Sequence, residues 1–338
     1  MKKKFITEFL LLFFLGGLTS LSLPPFNLFI INFFTFSIFF GLLFKNLNKK
    51  IEKKIFFFYG WFFGFGYFLS SLYWITISLS FDKNFSFLIP LALIFIPSFL
   101  ALFYGSITLI FHLFNPKNIL SAFFSFSVFF GIVEFIRGTI LTGFPWNLII
   151  YSFSKNLNFL SILSIIGTYS LNLIVISLFT APAIYILRKS KKEIGVCIFL
   201  LLLPIIFFAH GNFQKKQFEK KELEKLPYTI RIIGSNISLE RFNNKIETEE
   251  VINELISLSS PKLNKKIFFI WPEGIIPDTY QNEVFLYADI FNKSFNENHL
   301  IGLGITKNQL ENDKYKFYNS FSVFDNKLNL IESYNKIK

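Results

Sequence analysis

The sequence predicts a multi-span α-helical membrane bundle of about seven helices followed by an α/β domain, and three observations lead there. The first 210 residues hold seven apolar stretches near the roughly 20 residues that cross a hydrocarbon core. The basic residues between those stretches fall on alternating sides. Beyond residue 226, short β-branched and aromatic runs alternate with polar segments of helical period. At 52% hydrophobic and 17% charged, the 338-residue chain lies outside the disordered, collagen-like and disulfide-scaffold classes.

The predicted spans lie near 5–22, 26–44, 55–79, 85–114, 119–137, 157–187 and 194–210. Thirteen of the 16 Lys and Arg in this half share one side: Lys2 to Lys4, the Lys45 to Lys54 loop, Lys117 and the Arg188 to Lys192 loop. The positive-inside rule makes that side cytoplasmic. With an odd number of spans, the chain after residue 210 is expected outside. The MKKK start followed by an apolar run resembles a signal peptide, yet no small-x-small cleavage site precedes Pro24. An uncleaved first span is the reading taken.

Charge location also decides between partner classes. Residues 1–210 carry a net charge of +11 and residues 211–338 only +1. The excess therefore belongs to the membrane half, and no basic face for nucleic acid is expected. One cysteine and three scattered histidines predict no disulfide and no metal site. No cofactor is expected.

Residues 1–210 are thus read as a transmembrane domain, 211–226 as a linker or solvated helix dense in Lys and Glu, and 227–338 as a folded domain. Strands are predicted at Tyr228–Ser235, Lys266–Trp271, Leu300–Thr306, Phe317–Phe324 and Leu328–Tyr334. Helices at Glu247–Ser259 and Glu283–Asn298 separate the first three strands, the order of parallel strands joined by helical crossovers. The last two strands, linked by Asp325 to Lys327, read as a hairpin. The sequence stops directly after it, with no capping or closing element.

Within FFIWPEGIIPD (268–278), a hydrophobic strand runs into Trp-Pro-Glu. Strand ends are where α/β sites are built, and Pro272 is expected to stop the ladder and hold Glu273 at the sheet edge as a general base. The alternative is an exposed loop glutamate. Lys336 follows the last strand and would suit a developing oxyanion, or else is a solvated tail lysine. Glu134 and Arg137, three apart on one helix, form either a functional intramembrane pair or a structural one. The following loop, 138–152, is apolar, with Trp146 and Tyr151 suited to an interfacial belt. Cys197 falls inside a predicted span and reads as a buried structural residue.

Taken together, these stretches resemble the bacterial apolipoprotein N-acyltransferases, from about Leu23 to Lys336. The stretches that carry the resemblance are LPPFNLF (23–29), GWFFGFGYFLSSLYWITISL (60–79), EFIRGTILTGFPWNLIIY (134–151) and IGTYSLNLIVI (166–176) in the first half. RIIGSNISLE (231–240), FFIWPEGIIP (268–277), IGLGITKN (301–308), FYNSFSVFD (317–325) and ESYNK (332–336) follow in the second. The resemblance implies an α-β-β-α sandwich of nitrilase type, of which this chain holds the first part. It implies transfer of an acyl chain from a phospholipid to the amino-terminal diacylglyceryl-cysteine of a lipoprotein, through a thioester. It also implies an inner-membrane enzyme with its catalytic domain on the periplasmic side. Glu273 then matches the base and Lys336 the oxyanion-stabilising lysine. The sequence departs from the family pattern in lacking the nucleophilic cysteine, and at Gly234, Ser235 and Phe242. The alternative is a truncated, non-catalytic membrane protein that binds lipid or lipoprotein.

Overall fold

The computed structural model describes residues 2–47, 49, 51–81, 83–141, 143–221, 226–235, 247–311 and 314–337. Lys50, Thr142, residues 222–225 and 236–246, with the Phe242 position, and Lys338 lie outside the described residues. The chain divides into two compact units, Met1–Glu222 and Leu223–Lys338.

The first unit is helical. Its helices are α1 (Lys2–Ser20), α2 (Ile31–Leu47), α3 (Lys53–Leu72), α4 (Ile89–Phe114), α5 (Ile119–Thr139), α6 (Leu157–Leu160), α7 (Leu163–Ile166), α8 (Thr168–Leu187) and α9 (Lys191–Glu219). Among the described residues, five helical segments are long and apolar enough to cross a membrane: 53–80, 83–114, 119–139, 168–187 and 191–219. Two of these extend α3 and α4 with 3-10 turns, at Tyr73–Ser80 and Lys83–Leu88. Helix α2 is shorter, at 17 residues, and α1 carries Lys2 to Lys4 and Glu8 in its first two turns.

Glycine sets the closest helix contacts. A Cβ on Gly16 of α1 would lie 1.9 Å from the Phe63 carbonyl oxygen, and one on Gly66 of α3 would lie 2.0 Å from that of Phe13. Backbone therefore meets backbone, the way small residues pack helices where lipid offers no hydrophobic drive. Phenylalanine fills the remaining space. Phe39 stacks on Phe63 at 4.2 Å and meets Phe126 edge-on at 5.8 Å, tying α2, α3 and α5.

The predicted single helix over 157–187 is broken. Two one-turn helices precede Gly167, whose φ of +76° ends α7 before α8 begins. After residue 210 the chain stays helical, since α9 continues to Glu219, which matches the solvated-helix alternative for that segment rather than the linker. Its start is fixed by a capping box in which Ser190 accepts from the Lys192 N–H and the Glu193 carboxylate accepts from the Ser190 N–H at 2.9 Å.

The second unit is one mixed five-stranded sheet in the order β1-β2-β3-β4-β5, with β1 (Thr229–Ile232), β2 (Ile267–Glu273), β3 (His299–Glu311), β4 (Lys314–Phe324) and β5 (Leu330–Asn335). β1, β2 and β3 are parallel, β4 pairs antiparallel with β3, and β5 pairs antiparallel with β4. Helix α10 (Thr248–Ser259) links β1 to β2. A 3-10 turn at Gln281–Tyr287 and the short α11 (Ala288–Asn292) link β2 to β3, in place of the longer helix expected there. One face of the sheet carries the core: Ile267, Phe269, Trp271, Ile301, Leu303 and Ile305 pack with Val251, Leu255 and Phe291. The other face carries apolar side chains too, and Ile230, Ile232 and Tyr334 on it are exposed.

Candidate active site

Glu273 is built by strand geometry. β2 alternates buried and half-buried residues up to Trp271, which is 2% exposed and donates its indole N–H to Ser259 Oγ at 2.9 Å. Pro272, which has no N–H, falls within a register irregularity between Ile270 and Glu273. The expectation that Pro272 ends the strand is therefore corrected: the ladder skips the proline, resumes at Glu273 opposite Gly304, and the Gly274 N–H donates to Gly304 O at 2.9 Å. Gly274 then turns the chain with a φ of +60°, and the buried Ile275 and Ile276 anchor the segment beyond that turn. Glu273 is thus held between two anchored segments while its own side chain is exposed.

Gly304 permits that placement. A Cβ there would stand 2.7 Å from Glu273 Cα and 3.0 Å from its Cβ. Only a glycine lets β3 run this close.

Asn319, in β4, connects Glu273 to Lys336. Its side-chain amide donates to Glu273 Oε1, and its backbone carbonyl accepts from the Lys336 N–H at 2.8 Å. Around it the end of β5 is pinned on the core side. Ser320 Oγ donates to Asn335 Oδ1 at 2.8 Å, and the Gln281 amide donates to Ser322 Oγ at 2.6 Å and Ser333 Oγ at 2.7 Å. The sheet thereby brings the two sequence-predicted residues to one edge, at the carboxyl end of the parallel strands. Next to Glu273 lies an open cavity of about 540 Å³, lined by Gly274, Pro277, Asp278, Tyr280, Gly304 and Thr306. Within FYNSFSVFD (317–325), no local pattern marks Asn319 as a site residue. Its position opposite Thr306, two strands away from Glu273, depends on the β3–β4 register, which no local pattern reveals.

The remaining candidates belong to the helical unit. Glu134 and Arg137 are both about 1% exposed. The guanidinium donates to Glu134 Oε2 and, through Nη1, to the carbonyls of Phe144 at 2.7 Å and Trp146 at 3.0 Å. This pair clamps the apolar loop after α5, which is the structural one of its two sequence-based alternatives. Cys197 is buried in α9, with its thiol 3.5 Å from Ala181 O, and is the chain's only cysteine. Among the described residues, no group of three or more His, Cys, Asp or Glu is placed to hold a metal ion.

Residues 15–181 match the apolipoprotein N-acyltransferase N-terminal domain. An apolipoprotein N-acyltransferase of Brucella melitensis biotype 1 is 27% identical over 96% of this chain and 63% of that protein. One of Rickettsia typhi is 31% identical over the same shares, and one of Agrobacterium fabrum is 30% identical over 78% of this chain and 50% of that protein. The chain thus spans half to two thirds of the length of the curated relatives it matches.

Proposed function

The chain is a relative of the apolipoprotein N-acyltransferases, and from that premise we propose that it takes part in moving an acyl chain from a phospholipid to the amino-terminal diacylglyceryl-cysteine of a lipoprotein. The observation that carries this reading is the Glu273–Asn319–Lys336 connection at the sheet edge.

In this reading the chemistry follows from charge placement. Glu273 takes the proton of a cysteine thiol, a group that residues 223–338 do not themselves contain, and the thiolate attacks the ester carbonyl of the phospholipid. The Lys336 ammonium stabilises the tetrahedral oxyanion, and the lysophospholipid leaves with the proton. The amine of the diacylglyceryl-cysteine then attacks the thioester and returns the enzyme thiol. Asn319 keeps the base aimed by donating to one carboxylate oxygen, so the other stays available for the proton. No metal or soluble cofactor enters these steps.

We further propose that the second unit is a layer of a nitrilase-type sandwich. Its exposed apolar face, with Ile230, Ile232 and Tyr334, supports a second layer packed there. Seven spans, with α1 and α2 joining the five longer segments, would put this unit on the side opposite the Lys-rich loops, the periplasmic side of an inner membrane.

The alternative is a membrane protein that binds lipid or lipoprotein without transferring the acyl chain, and the burial of Cys197 in α9, with its thiol against Ala181 O, is the observation on its side. The deciding experiment is N-acylation of a synthetic diacylglyceryl-cysteine peptide by membranes carrying the expressed gene, with phospholipid as donor. The acyl-transfer reading predicts transfer that Glu273→Gln abolishes. Transfer undiminished in that variant contradicts the assigned base, and no transfer in the parent favours the second reading.

A further inference from the structure

A separate cavity lies wholly inside the helical unit, at the end of the bundle opposite the Lys45 to Lys54 and Arg188 to Lys192 loops. It has a volume of about 360 Å³ and is bounded by the turn after α1, the carboxyl end of α3 and the loop after α5. Two features define what it can hold.

The first is charge. Among the described residues, no Lys, Arg, Asp or Glu lines the cavity, so a phosphate or ammonium placed there would lose water without gaining a counter-charge. The second is a set of neutral hydrogen-bonding groups on an otherwise apolar wall. Ser71 Oγ is buried and has no hydrogen-bond partner among the described residues. The Asn147 amide makes only a long contact with Ser71 O, at 3.4 Å, and the Tyr151 hydroxyl donates to Pro145 O at 3.3 Å. These donors are weakly engaged and close to a hydroxyl with nothing to bond.

The walls are Leu23, Pro24, Phe26 and Trp74, and Trp74 stacks on Trp146 at 5.2 Å. Paired tryptophans of this kind mark the depth at which a bilayer passes from headgroups to hydrocarbon. Ester carbonyls, which accept hydrogen bonds and carry no charge, are the lipid groups found at that depth. The volume falls within the roughly 300–1,000 Å³ of ordinary ligand sites, and the exposed Phe26 and Leu28 give acyl chains an apolar way out.

We propose that this cavity binds the ester-linked glycerol portion of a diacylglyceryl lipid. The site rests on the acyl-transfer reading, since both lipids of that reaction carry this group, and names where one of them is held in the membrane. Ser71 and Asn147 supply the donors.

The test is native mass spectrometry of the purified 338-residue chain in detergent with three probes: dioleoyl phosphatidylethanolamine, its dialkyl ether analogue, and a dipalmitoylglyceryl-cysteine peptide. The ether lacks the carbonyls and should be retained about tenfold less than its ester counterpart, as expected for the loss of one or two neutral hydrogen bonds. Ser71→Ala with Asn147→Leu should bring the ester down to the ether level, whereas Ser71→Thr, which keeps the hydroxyl, should behave as the parent. Retention of the phospholipid alone identifies the acyl donor as occupant, and retention of the peptide alone identifies the acceptor. Equal retention of ester and ether, or no effect of the double substitution, overturns the proposal. Because binding is read without turnover, loss of acyl transfer with ester-selective binding intact would sink the acyl-transfer reading alone. Transfer without ester selectivity would sink only this site.

Discussion

Replacing Gly304 with alanine should disable the sheet edge while leaving the sheet in place. The new Cβ would lie 2.7 Å from Glu273 Cα, against ordinary contact at 3.4 Å, so β2 and β3 must part by about 0.7 Å at that point. Overpacking of this kind costs about 1–3 kcal/mol, and the atoms that must move are backbone, which cannot turn aside as a side chain can. A displacement approaching 1 Å in a positioned base costs about 100-fold in rate. Gly302→Ala is the matched control. Its Cβ would meet the ring tips of Phe321 at 2.6 Å and Phe268 at 3.1 Å, side chains that can turn aside, and none of its nearest atoms belongs to Glu273. The assay is lipopeptide N-acylation beside hydrogen exchange at the Gly274 amide, which reports the 2.9 Å bond to Gly304 O. Gly304→Ala should lose about 100-fold in transfer and speed exchange at Gly274, and Gly302→Ala should do neither. Equal activity in the two variants would refute the argument that close approach at Gly304 positions the base.

Three further outcomes are expected. Asn319→Asp should lower transfer more than Asn319→Ala, because a carboxylate facing Glu273 replaces a donor with a like charge; kinetics of the two variants check the order. His299 is buried, accepts the Asn296 N–H on Nδ1 at 3.1 Å and donates from Nε2 toward Lys262 O at 3.2 Å; burial holds its pKa below the ordinary 6.5. The unfolded chain then binds the proton more readily, so the stability of the sheet unit should be full above about pH 6.5 and fall as pH drops through it. Hydrogen exchange across β2 should show this, and His299→Asn should flatten it. Arg137→Ala should destabilise the bundle by about 3–5 kcal/mol, since it leaves Glu134 charged and buried and frees the Phe144 and Trp146 carbonyls. Thermal unfolding in detergent measures that loss, and Glu134→Leu with Arg137→Met should recover part of it.

The spans and the parallel part of the sheet were legible because their signals are local. Apolar runs such as 89–114 and 119–139 need no partner to be recognised, and the order of β1, α10 and β2 follows from the change of period along the chain. Breaks were harder to see. Gly167 ends one helix within a run that stays apolar on both sides, and only its positive φ shows the interruption. Pro272 signalled the end of a strand, yet the bulge lets the ladder continue past it to Glu273. Of the site, Glu273 and Lys336 could be named from their neighbours in sequence. Asn319 could not, since its role arises from the pairing of β4 with β3 on one side and β5 on the other.

The claim at the centre of this account is that Glu273 and Lys336 act as one unit. The measurement that tests it most directly is a double-mutant cycle in the lipopeptide N-acylation assay with Glu273→Gln, Lys336→Met and the pair combined. Residues that serve the same step lose most of their effect together, so the double variant should be no slower than the worse single one. Losses that multiply independently, or a single variant with full activity, would contradict a shared site.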